Sequence, residues 1–291
     1  MVTSPAELRA DPGPQGTGYD SDFLGGPLPG ATPVVDDAVR VGPDDRPWLD
    51  YEHFSVMLSR GRRLARQVAW NIDVETLRDG DTVSRSGMRF RADPRIPADA
   101  QVLEDVYARN RLDRGHLARR ADLLWGTDEQ AARANRESFY FPNITPQMDS
   151  FNQSGKEGDW GLLENSLTDY LRETPLPRAT VFGGPELADD DPRYRGVQVP
   201  LSFWKVLAYR AGGAPDGQLR ARAFRVTQSL DGLEPITFDE HYVIHGLSLA
   251  DLQERTGLRF ADALLDADER AGEAGVRPRG EIVTDPFAIR W

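Results

Sequence analysis

Segments rich in β-branched and aromatic residues recur along the chain and constrain its fold more than any other feature. The longest, FSVMLSRGRRLARQVAWNIDV (54–74), has a Gly-Arg turn between two such runs and predicts a β-hairpin. Four further runs predict strands: RATVFGGP (178–185), VQVPLSFWKVLAYR (197–210), LRARAFRVTQ (219–228) and HYVIHGL (241–247). Together they favour a central antiparallel sheet, in which SFWKV forms a buried strand with Lys205 facing out.

Helical patterns lie between and after these strands. DEQAARANRES (128–138) is polar and alanine-rich, which predicts an exposed helix with Thr127 as its N-cap. In DWGLLENSLTDYLRET the residues Trp160, Leu163 and Leu167 have helical spacing and predict a core-facing stripe, with Asp159 as the cap. SLADLQERTGLRF predicts a short amphipathic helix. The predicted fold class is α+β, a central antiparallel sheet flanked by helices.

The first part of the chain differs in composition from the rest. Residues 1–47 are rich in Gly, Pro and Asp, and such a segment cannot bury enough apolar surface to offset its ordering entropy. We expect an extended arm that wraps the domain or stays mobile. Because no linker-like segment follows it, residues 48–291 are predicted to form a single domain.

Charge is distributed unevenly along the chain. The net charge of −12 would by itself disfavour a nucleic-acid partner. Residues 1–50 hold nine acidic residues against three arginines, whereas residues 51–120 hold fourteen arginines against ten acidic residues. This reversal indicates a basic face on an acidic body, although ordinary solvated helix and strand faces would give the same pattern.

Cysteine is absent, which excludes disulfides and thiolate metal sites. No run approaches the roughly 20 apolar residues of a membrane-spanning helix, and the first residues lack the apolar stretch of a secretory signal. We therefore expect a cytoplasmic protein that does not bind membranes. Secretion by a signal-independent route stays open.

Four histidines are available for chemistry. The aromatic and apolar neighbours of His53 indicate a structural role. His241 and His245 could form a zinc hydrolase site with Asp239, but the residues between the two histidines favour a strand rather than a helix. His116 is different because it lies in RLDRGHLARR (111–120), between two pairs of arginines.

The tetrapeptide DRGH suits phosphodiester cleavage, which needs a base for water, a cation for the developing charge and a metal for the leaving oxygen. Gly115 would let the backbone bend, so that Arg114 and His116 face one phosphate while Asp113 fixes their orientation. About thirty residues further on, FYFPNITPQMDSFNQ (139–153) contains two prolines and four Asn or Gln residues and predicts a loop.

DRGH, the motif N-x-x-P-Q at Asn143–Gln147, a further asparagine at position 152 and W-x-x-L-E at Trp160–Glu164 follow one another in this order. This ordered set resembles the DNA/RNA non-specific endonucleases of the ββα-metal type, relatives of mitochondrial endonuclease G. The resemblance covers about residues 48–262. It implies a ββα-metal active-site motif and cleavage of DNA and RNA without strong sequence preference.

The resemblance also implies a role for each matching residue. His116 would be the general base and Asn152 the direct protein ligand of Mg²⁺, with Mn²⁺ as a substitute. Glu164 would orient the water molecules of the metal, and Arg114 would stabilise charge on the phosphate. Asn143, and Gln147 with it, would hold the phosphate or the loop; alternatively, their amides only tie down backbone.

One departure from the family pattern affects the predicted metal site. Asn152 and Trp160 are eight positions apart, with SGKEGD as an insertion. Asn152 is therefore predicted to precede the helix, and the insertion could displace Glu164 from the angular position that it has in the family. A catalytically silent nucleic-acid-binding module is therefore the alternative function. An active cytoplasmic nuclease would need restraint by an inhibitor, by assembly or by a partner's signal, as in a toxin or phage-defence effector, and self-association stays open.

Overall fold

A computed structural model describes residues 13–156, 158–174, 176–214, 216–230 and 244–273. The strands within these residues are β1 (Thr32–Pro33), β2 (Leu49–Tyr51), β3 (Phe54–Leu58), β4 (Ala65–Asp73), β5 (Leu112–His116), β6 (Ile144–Met148), β7 (Arg178–Pro185), β8 (Arg193–Tyr194), β9 (Val197–Gln198), β10 (Ser202–Arg210), β11 (Leu219–Thr227), β12 (Ile244–Leu247) and β13 (Leu258–Arg259). The helices are α1 (Asp128–Glu137), α2 (Asp149–Asn152), α3 (Asp159–Glu173), α4 (Leu249–Thr256) and α5 (Asp262–Asp266).

Seven strands form the central sheet in the order β12-β11-β10-β7-β4-β3-β2, and all neighbouring pairs are antiparallel. The hairpin predicted for residues 54–74 is β3 and β4, closed by a hydrogen bond from Ser59 N to Leu64 O of 2.9 Å. The prediction of a central antiparallel sheet flanked by helices is confirmed.

Hydrophobic side chains cover both faces of this sheet. On one face the predicted stripe of α3 packs in a core that also contains Trp70, Phe203 and Leu207. On the other face Trp204 and Val206 belong to a second core with residues of α4. Because successive residues of a strand point to opposite faces, β10 supplies both cores in alternation.

Lys205 lies on the face of β10 that carries Phe203 and Leu207, and its side chain is fully buried. The prediction that it faces out is therefore wrong. The reason is that β10 is an inner strand of a sheet covered on both sides, so neither of its faces meets solvent.

The described part of the N-terminal arm, residues 13–47, packs against the domain. Gly18 N donates to Tyr51 O at 2.9 Å, and Thr32 and Pro33 pair with β13. Phe23, Leu24 and Leu28 are buried in the second core. Apolar side chains placed among the glycines and prolines thus anchor an extended segment along the sheet.

Strands β5 and β6 form a separate antiparallel ribbon, in which His116 is opposite Ile144 and Arg114 opposite Pro146. The prediction that residues 139–153 form a loop is therefore wrong for β6 and for α2. The amide of Gln228 binds the outer edge of β6, accepting from Met148 N at 2.8 Å and donating to Pro146 O at 3.2 Å. The backbone N and O of one strand residue point to the same side of the strand. The O of Pro146 faces Gln228, so the N of Pro146 also faces away from β5, and the missing N–H removes no hydrogen bond to β5.

Local capping explains where two helices begin. Thr127 accepts a hydrogen bond from Gln130 N and forms a capping box with it, as the sequence predicts for α1. Helix α3 begins one residue earlier than expected, with Gly158 at the cap position and Asp159 as its first helical residue. Among the described residues, no helix has both the length and the apolar character that crossing a membrane requires.

Candidate active site

The ribbon, α2 and α3 surround a cleft of about 610 Å³. Arg114 and His116 reach it from β5, Asn152 from α2 and Glu164 from α3. These residues are separated by up to fifty positions in the chain, and the fold brings them to one cavity. The insertion between Asn152 and Trp160 leaves Glu164 at the cleft.

His116 packs edge-on against Phe139, with ring centroids 5.2 Å apart, and its Nε2 is buried without a hydrogen-bond partner. Burial, together with the positive charges of Arg85 and Arg120, lowers the pKa of His116 to about 3. The imidazole is therefore neutral at pH 7. A neutral ring has one nitrogen lone pair that can accept a proton.

Arg120 is buried next to His116 and forms no ion pair within the described residues; burial and the charge of Arg85 lower its pKa, and the charge of Asp81 partly offsets this. Its guanidinium donates to Asn135 Oδ1 at 2.6 Å, to Gly80 O at 3.1 Å and to Val83 O. All three acceptors are neutral. They hold the loop that leads to β5 in place and leave the positive charge of Arg120 at the cleft, where Asp79 and Asp81 also lie.

Arg85 supplies a second such charge. Its guanidinium lies 5.8 Å from the centroid of the Phe139 ring, and no carboxylate pairs with it in the part of the chain that the structure describes. Arg119 and Arg172 also line the cleft. The doubled arginines of RLDRGHLARR signalled Arg119 and Arg120, whereas no sequence motif pointed to Arg85.

Arg114 is held at the mouth of the cleft by Glu104. Its Nε donates to Glu104 Oε2 at 2.9 Å, and a second N–H donates to Oε1. The ring centroids of Phe90 and Tyr107 lie 5.5 and 5.4 Å from its guanidinium carbon. The hydrogen bond with Glu104 raises the pKa of Arg114, so the guanidinium stays charged.

Asp113 contacts neither Arg114 nor His116, although the sequence predicts that it orients them. Its Oδ2 accepts from Asn152 Nδ2 at 3.0 Å and from Gln153 Nε2 at 2.7 Å. Alternation along β5 explains the difference, since Asp113 points to the opposite side of the ribbon. Asp113 therefore orients Asn152, and this bond to Nδ2 leaves the carbonyl Oδ1 of Asn152 free.

Glu164 is only 7% exposed, and a cation lies near each of its carboxylate oxygens. Lys205 Nζ donates to Oε1 at 3.1 Å, and Arg119 Nε is 3.7 Å from Oε2. Arg119 also donates to the backbone oxygen of Glu164 at 2.9 Å and to Thr168 Oγ1 at 3.0 Å. The turn after β5 is thereby tied to α3.

Asn143 is completely buried and its amide binds only backbone. Oδ1 accepts from Ala118 N at 2.9 Å, while Nδ2 donates to Ala118 O and to Ser138 O, both at 3.1 Å. This geometry corresponds to the alternative in which the amide ties down the segment after His116.

Gln147 is also fully buried, but neither atom of its amide has a hydrogen-bond partner among the described residues. Its side chain lies directly over Gly115, where an added Cβ would be 1.9 Å from Gln147 Oε1. Gly115 does not have a positive φ. The glycine is therefore required for close approach, and the expected bend is not the reason for it.

His53 and His245 do not line this cleft. His53 stacks on Trp125 with ring centroids 3.4 Å apart, and burial lowers its pKa to about 4. His245 lies on β12 opposite Arg225. Its expected zinc partners, His241 and Asp239, are outside the described residues, and within those residues no group of three or more His, Asp or Glu could hold a metal.

The residues at the cleft fit the hard divalent cation that the resemblance implies. Mg²⁺ prefers oxygen ligands and keeps most of its water, so it needs few protein ligands. The free carbonyl of Asn152 and the carboxylate of Glu164 supply such oxygens at the same cavity.

The fold resembles that of a solved nuclease. The crystal structure described as "the EndoG/EndoGI complex: Mechanism of EndoG inhibition" matches with a TM-score of 0.58 at 20% identity, over 75% of this chain and 86% of that chain. The class defined by fold and site is the ββα-metal nuclease fold. The family model for DNA/RNA non-specific endonucleases matches residues 38–267. The chain thus belongs to this family of hydrolases that act on nucleic acids.

Similar sequences agree with this assignment. Nuclease C1 of Cunninghamella echinulata var. echinulata is 27% identical over 232 residues, which are 75% of this chain and 84% of that protein. Bovine mitochondrial endonuclease G is 28% identical over 193 residues, covering 62% of this chain and 58% of its own length. The protein y4fB of Sinorhizobium fredii is 34% identical over 88% of this chain, which spans only 40% of its length.

Proposed function

We propose that this protein is a Mg²⁺-dependent endonuclease that hydrolyses phosphodiester bonds of DNA and RNA without strong sequence preference. One observation carries the proposal: neutral His116, the carbonyl of Asn152 and the guanidinium groups of Arg85 and Arg120, which form no ion pair within the described residues, meet at one cleft. A neutral base beside cations suits the hydrolysis of an anionic phosphodiester, in which water gives up a proton as its oxygen bonds to phosphorus and the bond from phosphorus to the leaving oxygen breaks.

The arginines account for binding of the nucleic-acid backbone. Arg85 and Arg120 present positive charge that a phosphate can neutralise, and Arg114 adds a planar guanidinium at the mouth of the cleft. Contacts to phosphate position a nucleic acid without reading its bases. Cleavage is therefore expected not to depend on the base sequence. Because the net charge of −12 repels the phosphate backbone, the affinity for nucleic acid depends on these few arginine contacts.

His116 is proposed to take a proton from the attacking water. Its low pKa makes it unprotonated but weakly basic in the free protein, because burial disfavours the charged imidazolium and Arg85 and Arg120 repel a proton. A phosphate bound at these arginines offsets their charge and therefore raises the pKa of the imidazole. Basicity then increases when substrate is in place.

Asn152 and Glu164 are proposed to hold Mg²⁺ or Mn²⁺, Asn152 through its carbonyl and Glu164 through water. When bound, the cation supplies positive charge that stabilises the phosphate and the leaving oxygen. Asp113 serves this site by fixing the amide of Asn152 through the 3.0 Å hydrogen bond, which keeps the carbonyl available.

The proposal also includes inhibition of the nuclease activity by a partner protein. The solved structure of similar fold is titled as a complex in which EndoG is inhibited. A nuclease with no preference for sequence would cut the nucleic acids of the cell that makes it, so we propose that an inhibitor also binds this chain at its basic cleft.

The test is cleavage of supercoiled plasmid and of single-stranded RNA, each with Mg²⁺ and with EDTA. His116→Ala is expected to lower cleavage by about 10²- to 10⁴-fold, the usual contribution of a general base. His245→Ala is the matched control, because it removes a histidine outside the cleft and should cleave like the parent. DNA binding without nicking at every Mg²⁺ and Mn²⁺ concentration would instead establish the catalytically silent module.

A further inference from the structure

Lys205 is one of two lysines in a chain with thirty-five basic residues, and it lies in the middle of the protein. Its ammonium is 4.4 Å from the ring centroid of Trp160 and 5.3 Å from that of Trp70. The Lys205 side chain has no exposed surface. Such a position normally belongs to an apolar residue, because removing an ammonium from water is costly.

Glu164 is what stabilises this buried charge. The hydrogen bond from Lys205 Nζ to Glu164 Oε1, at 3.1 Å, is the ion pair of Lys205 within the described residues. The other carboxylate oxygen lies 3.7 Å from Arg119 Nε. The carboxylate is thus held by Lys205 from the sheet and by Arg119 from the turn after β5.

This arrangement has a consequence for the cleft. Trp160, one turn before Glu164 on α3, stacks over the ammonium, so the helix, the lysine and the carboxylate are packed as one unit. A methionine at position 205 would fill similar space between the two tryptophans at lower desolvation cost. Packing alone therefore does not explain a lysine at this position.

We propose that Lys205 is a positioning residue for the divalent-cation site: through its hydrogen bond to Glu164 Oε1 it holds the carboxylate directed at the cleft, without itself touching substrate. The inference rests on the proposed function of Asn152 and Glu164. Lys205 would then affect cation binding and turnover, and leave the binding of nucleic acid to the arginines.

The test compares Lys205→Met, Lys205→Arg and the parent for Mn²⁺ affinity by titration calorimetry, in a His116→Ala background that does not turn over. Lys205→Met is expected to weaken Mn²⁺ binding by about tenfold or more, as outer ligand-orienting contacts do. Lys205→Arg keeps the charge and should recover most of this affinity. With His116 intact, Lys205→Met should lower kcat and change KM for DNA little.

Arg225→Met is the matched control. Arg225 lies on β11, next to β10, and pairs at 2.8 Å with Glu186, which directly follows β7; neither residue lines the cleft. This variant should lose stability while its Mn²⁺ affinity stays that of the parent. A general loss of stability is thereby separated from a specific effect on the cation site.

A folded Lys205→Met variant with the Mn²⁺ affinity of the parent would overturn the inference and leave the proposed nuclease intact. If Lys205→Met does not fold, Glu164→Gln is compared with Glu164→Gln/Lys205→Met. Equal Mn²⁺ affinities support action through Glu164, and a further loss in the double variant refutes it. A parent that neither binds Mn²⁺ nor cleaves refutes the proposed function, and the inference falls with it.

Discussion

Gly115→Ala tests why the residue before His116 is a glycine. An added Cβ would lie 1.9, 2.3 and 2.8 Å from Oε1, Cδ and Cγ of Gln147, whereas real Cβ contacts essentially never fall below 3.0 Å. Gln147 is fully buried, so its side chain cannot swing into solvent. Overpacking of this kind destabilises a protein by about 1–3 kcal/mol. Since β6 carries Gln147 and pairs with β5, the strain should also displace His116 and lower kcat.

Urea unfolding and plasmid cleavage measure the two effects. Gly115→Ala/Gln147→Ala is the diagnostic variant, because truncation at position 147 removes all three close contacts. The amide that is lost has no hydrogen-bond partner, so the double variant should be more stable than Gly115→Ala alone. Gly61→Ala is the control, since nothing lies within 4 Å of its added Cβ. Gly115→Ala with the stability and kcat of the parent would refute the close-approach explanation.

Two further predictions concern groups around the same scaffold. The pKa of His53 is about 4 in the folded protein and 6.5 when unfolded, so below pH 6.5 the unfolded chain binds a proton that the folded chain refuses. The free energy of unfolding should therefore fall by up to ~3 kcal/mol between pH 6.5 and pH 4. In His53→Gln the free energy of unfolding, measured with urea, should fall less steeply between pH 6.5 and pH 4. His116 should account for part of the decline that remains. The same dependence on pH in this variant and in the parent would contradict this account. Asp113→Ala releases the amide of Asn152 and should raise the Mg²⁺ concentration for half-maximal cleavage about 10- to 100-fold; a normal Mg²⁺ dependence would show that the 3.0 Å bond does not orient Asn152.

Local patterns in the sequence were sufficient for the elements that depend on local chemistry. The hairpin of β3 and β4, the stripe of α3 and the Thr127 cap follow from residue spacing and side-chain type, which act over a few positions. The arginine-flanked His116 and the asparagine at position 152 could likewise be proposed as site residues, because the order and the residue types of the motifs can be read from the sequence.

Only the tertiary structure decided which groups meet. Lys205 is buried because α3 covers its face of the sheet, and Asp113 binds Asn152 because alternation turns it away from His116. The strand β6 forms despite Pro146 because Gln228, eighty-two residues away, satisfies its outer edge. Each of these contacts joins residues that are distant in the chain. Composition and spacing determine what a segment can form, whereas the partner of a buried charge or amide depends on the packing of the whole fold.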